Sequence, residues 1–514
     1  MITSAVADPP SPSPAVNLGS LSELNTAWFA ACQNMRTGVL LGLTLTASVF
    51  YAVLVLQLEV ISASVLVHWI GLTATIWSPR VGLFIIFALM GLLEPGGVDP
   101  LMGFGAYLHG GLSSTFNLSG MATTPIELLL LITAVAWLAH GLARHQSGMT
   151  RGTLDTPMLL FLAALAYGIA RGVANQGNLQ VALWESRALF YMVICYFLAS
   201  NLIRTRSHVR SLISLCLISV SLFAVEGAYR KLVLLEHDAL KVMKDFAYSH
   251  ETVIFLGVAI LVVFAQYAFG GPKWQRLLGP AIIGTAGFTL LASERRAGYI
   301  ALAIAFLALA AVLARVNRRA FLTYVVPLLV VGAIYVPVFW NASGMIGQPA
   351  RAVRSMVTPD PRDAASNGYR DLEKINVRAT IDSNPLLGIG FGKEFFMVVP
   401  LPDLSWWPFW RFEPHHNVLW VWLKTGAVGF TIFLALMGMT VARAGYLVRH
   451  LQYPESKTFA VLVIANVFCT LIFSWVDLGL VVGRVTIWLG INLGVLSVLE
   501  SIEQREPAQS RSAH

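Results

Sequence analysis

The feature of this sequence that most restricts its fold is a series of apolar runs, each about as long as a helix that crosses a lipid bilayer. A helix needs roughly 20 apolar residues to cross the hydrocarbon core, and only helices or closed barrels satisfy their backbone hydrogen bonds there. Charged residues make up only 12% of the chain, against about 25% in a typical globular protein. The sequence therefore predicts an all-α polytopic membrane protein.

The apolar runs predict about fourteen transmembrane helices, with twelve as the alternative, because the run at 81–94 is short and the first two runs are closely joined. The predicted spans are 37–57, 59–77, 81–94, 124–143, 157–172, 188–204, 210–227, 253–270, 276–292, 297–315, 320–339, 418–444, 458–475 and 481–499. The predicted regions are a disordered cytoplasmic tail at 1–35, a transmembrane bundle at 36–339, a periplasmic loop at 340–417, C-terminal transmembrane helices at 418–499 and a cytoplasmic tail at 500–514.

The distribution of basic residues predicts the orientation of the chain. An excess of Lys and Arg in short loops marks the cytoplasmic side, and alternate threading of the spans collects most such loops on one side together with both termini. The opposite, periplasmic side of the inner membrane then receives the loops 95–123, 228–252 and 340–417. The last of these carries eight basic and eight acidic residues, and so long a loop is usually functional or disordered.

The formal charge of +8 does not indicate a nucleic-acid partner, because the basic residues are scattered between apolar runs and form no stripe. Membrane lipids and an anionic lipid substrate are the expected partners. The four cysteines show neither metal-ligand nor paired disulfide spacing, so neither a metal site nor a disulfide framework is expected.

The strongest local signal for chemistry is the segment 413–417, Glu-Pro-His-His-Asn, just before an apolar run. A histidine at the water-facing end of a span can take a proton from a hydroxyl near neutral pH. His415 and His416 are therefore candidate catalytic residues. The alternative is that they are two histidines at the polar start of a helix.

Four arginines are candidates for binding phosphate, because the planar guanidinium matches phosphate oxygens with two parallel hydrogen bonds. Arg295 and Arg296 interrupt two spans at the predicted outer face, and Arg187 stands at the outer end of the span 188–204. Arg370 lies in a charged stretch of the long loop. The alternatives are a short polar turn for the first two, an interfacial pair of Arg187 with Glu185, and a solvated helix face around Arg370.

Two further segments of the loop have distinctive compositions. The run 385–392, Pro-Leu-Leu-Gly-Ile-Gly-Phe-Gly, has glycines that could approach a ligand, although a tight turn is the simpler interpretation and no nucleotide site is expected. The tryptophan-rich segment 405–411 is typical of anchoring at the membrane interface, with stacking against a sugar ring as the alternative.

Three features occur together in this sequence: Arg296 between two spans, the run 385–392, and a His-Asn dipeptide that leads into a helix carrying Gly426. In combination they resemble the O-antigen ligase and O-antigen polymerase superfamily, bacterial membrane enzymes that transfer lipid-linked glycans. The resemblance covers roughly 180–445. It implies a GT-C-like fold, with a periplasmic loop covering a cleft that opens to the outer leaflet. It also implies metal-independent, inverting transfer of a glycan from undecaprenyl diphosphate to the hydroxyl of an acceptor glycan or lipid, without a cofactor.

The resemblance also assigns roles to residues. The His-Asn dipeptide identifies His416 as the catalytic histidine, whereas the family's spacing of eleven residues from histidine to glycine fits His415 with Gly426; His416 is preferred and His415 comes second. Arg296 and Arg187, with Arg295 and Arg370, are expected to bind the diphosphate. Ligase and polymerase differ only in the acceptor and are not separated. A transporter or flippase of lipid-linked saccharides is the alternative function, and it predicts charged residues buried at mid-membrane.

Overall fold

The computed structural model of the chain describes residues 61–94, 124–143, 149–234, 249–405 and 407–512. These residues are mostly helical and contain no strand. The helices are α1 (Ile61–Trp77), α2 (Pro79–Leu92), α3 (Pro125–Ala143), α4 (Asp155–Ala174), α5 (Leu179–Leu202), α6 (Arg206–Tyr229), α7 (Thr252–Phe269), α8 (Lys273–Ala292), α9 (Arg296–Val316), α10 (Arg318–Val338, with a π-helical turn at Phe321–Val325), α11 (Gln348–Arg354), α12 (Pro361–Ser383), α13 (Asn417–His450), α14 (Pro454–Ser474) and α15 (Gly483–Ser512).

Ten helices in this part of the chain are long and apolar enough to cross a membrane: α3 to α7, α9, α10 and α13 to α15. The prediction of an all-α polytopic membrane protein is therefore confirmed. The predicted spans 59–77, 81–94 and 276–292 also form helices, α1, α2 and α8, but these are outside the set of ten. The predicted tail 1–35, the span 37–57 and the loop 95–123 lie outside the described residues.

Two predicted boundaries differ from the structure. The span predicted at 188–204 begins at Leu179, where Asn178 caps the helix by accepting a hydrogen bond from the Val181 amide. Arg187 therefore lies about two turns inside α5 and not at its end. The charged residues suggested a helix end because an unpaired charge is costly in a span, but they have partners here. The last helix continues to Ser512, through most of the segment predicted as a tail.

The centre of the bundle is formed by α7, α14 and α15, most of whose residues are buried. Helix α14 packs against α7, α9 and α13, and α15 packs along α5. Gly490 and Gly494 allow this last approach, because an added Cβ would lie 2.3 Å from the carbonyl oxygens of Met192 and Tyr196 respectively. Small residues four apart are a common means of close packing between membrane helices. By contrast, no residue of Val326–Val338 in α10 is buried, which suits a helix that faces lipid.

The long loop that precedes α13 is folded. Its main element, α12, begins with Asp360 accepting a hydrogen bond from the Asp363 amide and with Pro361 in the first turn, two features that favour a helix start. Val377 and Ile381 of α12 belong to a small core with residues of the run 385–392 and of α13. The loop is thus fixed to the ends of the helices that carry the candidate site residues.

Candidate functional site

The glycines of the run 385–392, called the glycine run below, bring one backbone against another. Gly388, Gly390 and Gly392 all have positive φ, between 67° and 87°, a conformation that side chains disfavour. The Phe391 amide donates to the carbonyl of Gly168 in α4 at 3.0 Å. The glycine run therefore packs on the neighbouring helices, and this close contact accounts for its glycines.

Helix α13 is bent at Gly426, which has φ 70° and ψ −179°. The next amide, of Ala427, donates to the carbonyl of Pro385 at 2.9 Å. A Cβ at position 426 would lie 2.1 Å from the Leu386 carbonyl oxygen. Glycine is required here because α13 crosses the glycine run at its bend. The crossing fixes the first turns of α13 and the histidines that precede them.

A buried ion pair ties the same elements together. Lys424 Nζ in α13 lies 3.1 Å from a carboxylate oxygen of Glu185 in α5, and both side chains are completely buried. Lys424 also donates to the Lys393 carbonyl at 2.7 Å, and the Gly392 amide donates to Glu185. Charged groups that are buried away from water need an opposite charge or hydrogen-bond partners. This pairing explains why Glu185 is tolerated within a span.

His415 is held by a buried carboxylate. One oxygen of Glu373, in α12, accepts a hydrogen bond from the His415 amide at 2.8 Å, and the other lies 3.1 Å from Nδ1 of its ring. A carboxylate only accepts, so Nδ1 carries the proton and the lone pair of Nε2 remains free. The His415 side chain is 21% exposed, and the rings of Tyr369 and Trp407 flank it at 5.4 and 6.5 Å. His415 therefore has the form of a general base.

His416 caps α13 and has a different environment. Its Nδ1 accepts a hydrogen bond from the Leu419 amide at 3.2 Å, so a neutral ring carries its proton on Nε2. That Nε2 is buried and has no hydrogen-bond partner among the described residues. Burial, followed by the positive charges of Lys374 and Arg378, lowers the pKa of the His416 imidazole to about 4. With one nitrogen engaged and the other protonated, His416 offers no lone pair to an acceptor hydroxyl.

Three of the four predicted phosphate-binding arginines line one cavity, of about 720 Å³, between α9, α11, α12 and the end of α14. Arg296 donates to Ser355 at 3.1 Å and to Asn367 at 3.3 Å. Its ion pair with Asp363 is longer, at 3.5 Å. The charged residues of this cationic cavity are Lys231, Arg295, Arg296, Arg351, Arg370, Glu294, Asp363 and Asp477. Five cations against three anions give it a formal charge of +2.

Asp477, in the turn between α14 and α15, also lines the cationic cavity. It is buried, and one oxygen lies 3.1 Å from His250 Nδ1 and 3.7 Å from a guanidinium nitrogen of Arg370. Burial alone raises the pKa of Asp477, but His250, Arg370 and His415 outweigh this and hold the pKa of the carboxyl well below its usual range. Asp477 is thus ionised at neutral pH.

Arg187 lies elsewhere. It contacts Glu127 of α3 at 3.2 Å and stacks over the Trp184 ring at 4.2 Å. A separate and largely apolar groove of about 810 Å³ between α3 and α5 is lined by Arg187, Glu127, Trp184 and Tyr191. The structure therefore brings Arg295, Arg296 and Arg370 together and does not place Arg187 with them.

Sequence reasoning did not identify Glu373, Asp477 or His250. Glu373 follows Arg370 by three residues, and this spacing places two side chains on one helix face. Asp477 lies two positions beyond the predicted span 458–475, and an ionisable residue so close to the membrane is a functional candidate. For His250 the sequence gives no comparable signal, because its partner is distant in the chain.

Residues 281–434 match the family model described as O-antigen ligase. The matched segment contains Arg295, Arg296, Glu373, the glycine run and both histidines, but neither Arg187 nor Asp477. No curated protein matches the chain. The match agrees with the resemblance found in the sequence and covers the part of the chain that forms most of the cationic cavity.

Proposed function

We propose that the chain, whose residues 281–434 match the O-antigen ligase family model, transfers a glycan from a polyprenyl-diphosphate carrier to the hydroxyl of an acceptor. The observation that carries this proposal is the arrangement on α12, where Arg370 lines the cationic cavity and Glu373, one helical turn later, contacts His415. A leaving diphosphate and an attacking hydroxyl would then each find, within one site, the group that its chemistry requires.

The cationic cavity suits the diphosphate. A diphosphate with two esters carries about two negative charges, which the formal charge of +2 would balance. Preorganised cations that meet developing charge are usually the largest contribution to catalysis. Arg296 is suited to this task, because its contact with Asp363 is long and its other partners are neutral. These arginines supply the electrostatic stabilisation, so the proposed transfer is metal-independent.

His415 is the proposed base, in preference to His416. Its Nε2 accepts the proton of the acceptor hydroxyl, while the oxygen of that hydroxyl forms a bond to the anomeric carbon of the donor sugar. The bond from that carbon to the phosphate oxygen breaks, and its electron pair leaves on the diphosphate. One such displacement inverts the configuration at the anomeric carbon.

The expected location of the site is the periplasmic face of the inner membrane, which the long loop covers. If the acceptor is a different glycan or lipid, the enzyme is a ligase, and if it is a second lipid-linked repeat, the enzyme is a polymerase. Deletion of the gene separates the two. Long polymer that remains on the carrier lipid indicates a ligase, whereas single repeat units on the carrier indicate a polymerase.

Purified protein, assayed with the polyprenyl-diphosphate-linked glycan from its host membranes, tests the proposal. We expect His415→Ala to lower kcat by about 100- to 10,000-fold, the usual contribution of a general base. His450→Ala is the matched control, because His450 stacks on Tyr446 at the far end of α13 and should not affect transfer. Full activity of His415→Ala would refute the proposed base. His416→Ala should act mainly on stability, through loss of the helix cap.

A further inference from the structure

We infer that Glu373 is a positioning residue, which fixes His415 in the one tautomer and orientation able to accept a proton from the acceptor. The inference rests on the proposed function and deepens it. Glu373 lies in the loop, 42 positions before His415, and its contact to the ring is made only by folding. The carboxylate would not touch either substrate but would act through the imidazole.

The two contacts of Glu373 determine the state of the ring. Its two oxygens meet two donors of the same residue, the His415 amide at 2.8 Å and Nδ1 at 3.1 Å. The amide contact fixes the backbone from which the ring projects. The Nδ1 contact requires a proton on that nitrogen and so leaves Nε2 as an acceptor. A carboxylate in this position also stabilises the imidazolium that forms after proton transfer, as the aspartate of a Ser-His-Asp triad does.

Helix α12 is anchored on either side of Glu373, as the support of a catalytic group should be. Three residues later, Asn376 makes two hydrogen bonds to the backbone of Val399, at 2.8 and 2.7 Å. Three residues earlier, Arg370 approaches Asp477 at 3.7 Å. The Glu373 carboxylate is only 2% exposed. It can therefore neither rotate into solvent nor exchange its partners for water.

A purely structural contact makes a different prediction from a positioning role. Glutamine has the shape of glutamate, but its amide offers one acceptor and one donor group. If the glutamine oxygen accepts a hydrogen bond from the His415 amide, the glutamine NH₂ donates to Nδ1. The ring then carries its proton on Nε2, which cannot accept a proton from the acceptor hydroxyl. If the amide is reversed, its NH₂ meets the backbone N–H. This reversed arrangement sets two donors against each other, so the first arrangement is favoured; it keeps both anchoring contacts but loses the competent state of the ring.

The decisive variant is Glu373→Gln, compared with Glu373→Asp and with the control Glu394→Gln. Glu394 lies in the same loop and pairs with Arg411 at 2.8 Å near the surface. We expect Glu373→Gln to lower kcat by about 100- to 10,000-fold, with an unchanged KM for the lipid-linked donor and nearly unchanged heat stability. Glu373→Asp should recover part of the loss, because it keeps two acceptor oxygens. Glu394→Gln should be fully active.

Nitrogen-15 NMR of histidine-labelled protein gives an independent readout. The His415 signals are assigned by their loss in His415→Ala, and we expect protonated Nδ1 in the wild type and protonated Nε2 in Glu373→Gln. Wild-type kcat in Glu373→Gln, or a loss no greater than its loss of folded protein, would overturn the inference. If His415→Ala is inactive while Glu373→Gln is active, the proposed function survives and only the role of Glu373 fails.

Discussion

Replacement of Lys424 by methionine should destabilise the protein strongly, and the size of the effect follows from its surroundings. The Lys424–Glu185 pair has no exposed surface and a separation of 3.1 Å. Methionine keeps most of the side-chain volume but leaves Glu185 as a buried charge without its cation, although the Gly392 amide still donates to it. Removal of one member of a buried ion pair typically costs about 3 to 5 kcal/mol. Lys424→Met should therefore lose a large part of the protein's stability.

The assay is the fraction of detergent-solubilised protein that stays monodisperse in size-exclusion chromatography after heating. Lys424→Met should lower the midpoint of this curve clearly. The double variant Lys424→Met/Glu185→Gln should recover part of the loss, because it also removes the unpaired charge. Arg411→Met is the matched control. Arg411 also pairs with a glutamate, at 2.8 Å, but both side chains are about two-fifths exposed, and such pairs contribute only about 0 to 1 kcal/mol.

The reasoning would be refuted if Lys424→Met were as heat-stable as the wild type. It would also be refuted if the double variant were less stable than the two single variants predict by addition. Either result would mean that the buried pair does not hold α5, α13 and the glycine run together.

Three further predictions concern other parts of the site. Gly172→Ala should abolish folded protein in size-exclusion chromatography, because the new Cβ would lie 1.8 Å from a carbonyl oxygen of the glycine run, whereas Gly284→Ala, with open space, should not. Folded His416 has a pKa of about 4, below about 6.5 in the unfolded chain. The contribution of His416 to the stability of the fold is therefore complete above pH 6.5 and declines as the pH falls towards 4. His416→Asn keeps a capping residue and should make heat stability depend less on pH in this range. Arg296→Ala should raise the donor KM at least tenfold, as expected for loss of a charge-assisted hydrogen bond of about 1.5 to 3 kcal/mol, and Arg187→Ala should raise it less. Equal effects of these two substitutions would contradict the separation of cavity and groove.

The sequence predicted the spans well because the apolar length of a segment is a local property. It failed at the start of α5, where Glu185 and Arg187 suggested a helix end. Their partners, Lys424 and Glu127, lie 239 and 60 positions away in the chain. An ion pair of this kind makes a charge tolerable inside a span, and no local pattern reveals it.

The candidate site shows the same division. That Arg295, Arg296 and Arg370 would lie together was a prediction from the chemistry that they share. The preference between His415 and His416 depended instead on the direction of each ring, which neighbouring residues do not encode. The dipeptide favoured His416 and the spacing to Gly426 favoured His415. The bend of α13 shows why the spacing carries information, because Gly426 must lie where α13 crosses the glycine run.

The buried charges of the bundle bear on whether the chain catalyses transfer or moves lipid-linked sugars across the membrane. A translocation path needs polar groups along the depth of the bilayer. Within the described residues, the buried ion pairs of Arg230 and Arg484 lie at helix ends, and the Lys424–Glu185 pair lies only about two turns inside α5 and α13. Arg484, at the start of α15, contacts Thr252 and lies 3.7 Å from Glu251, and the neighbouring His250 reaches Asp477 of the cavity. Charge concentrated at one end of the helices suits chemistry at one face of the membrane, and it favours the transferase over the transporter.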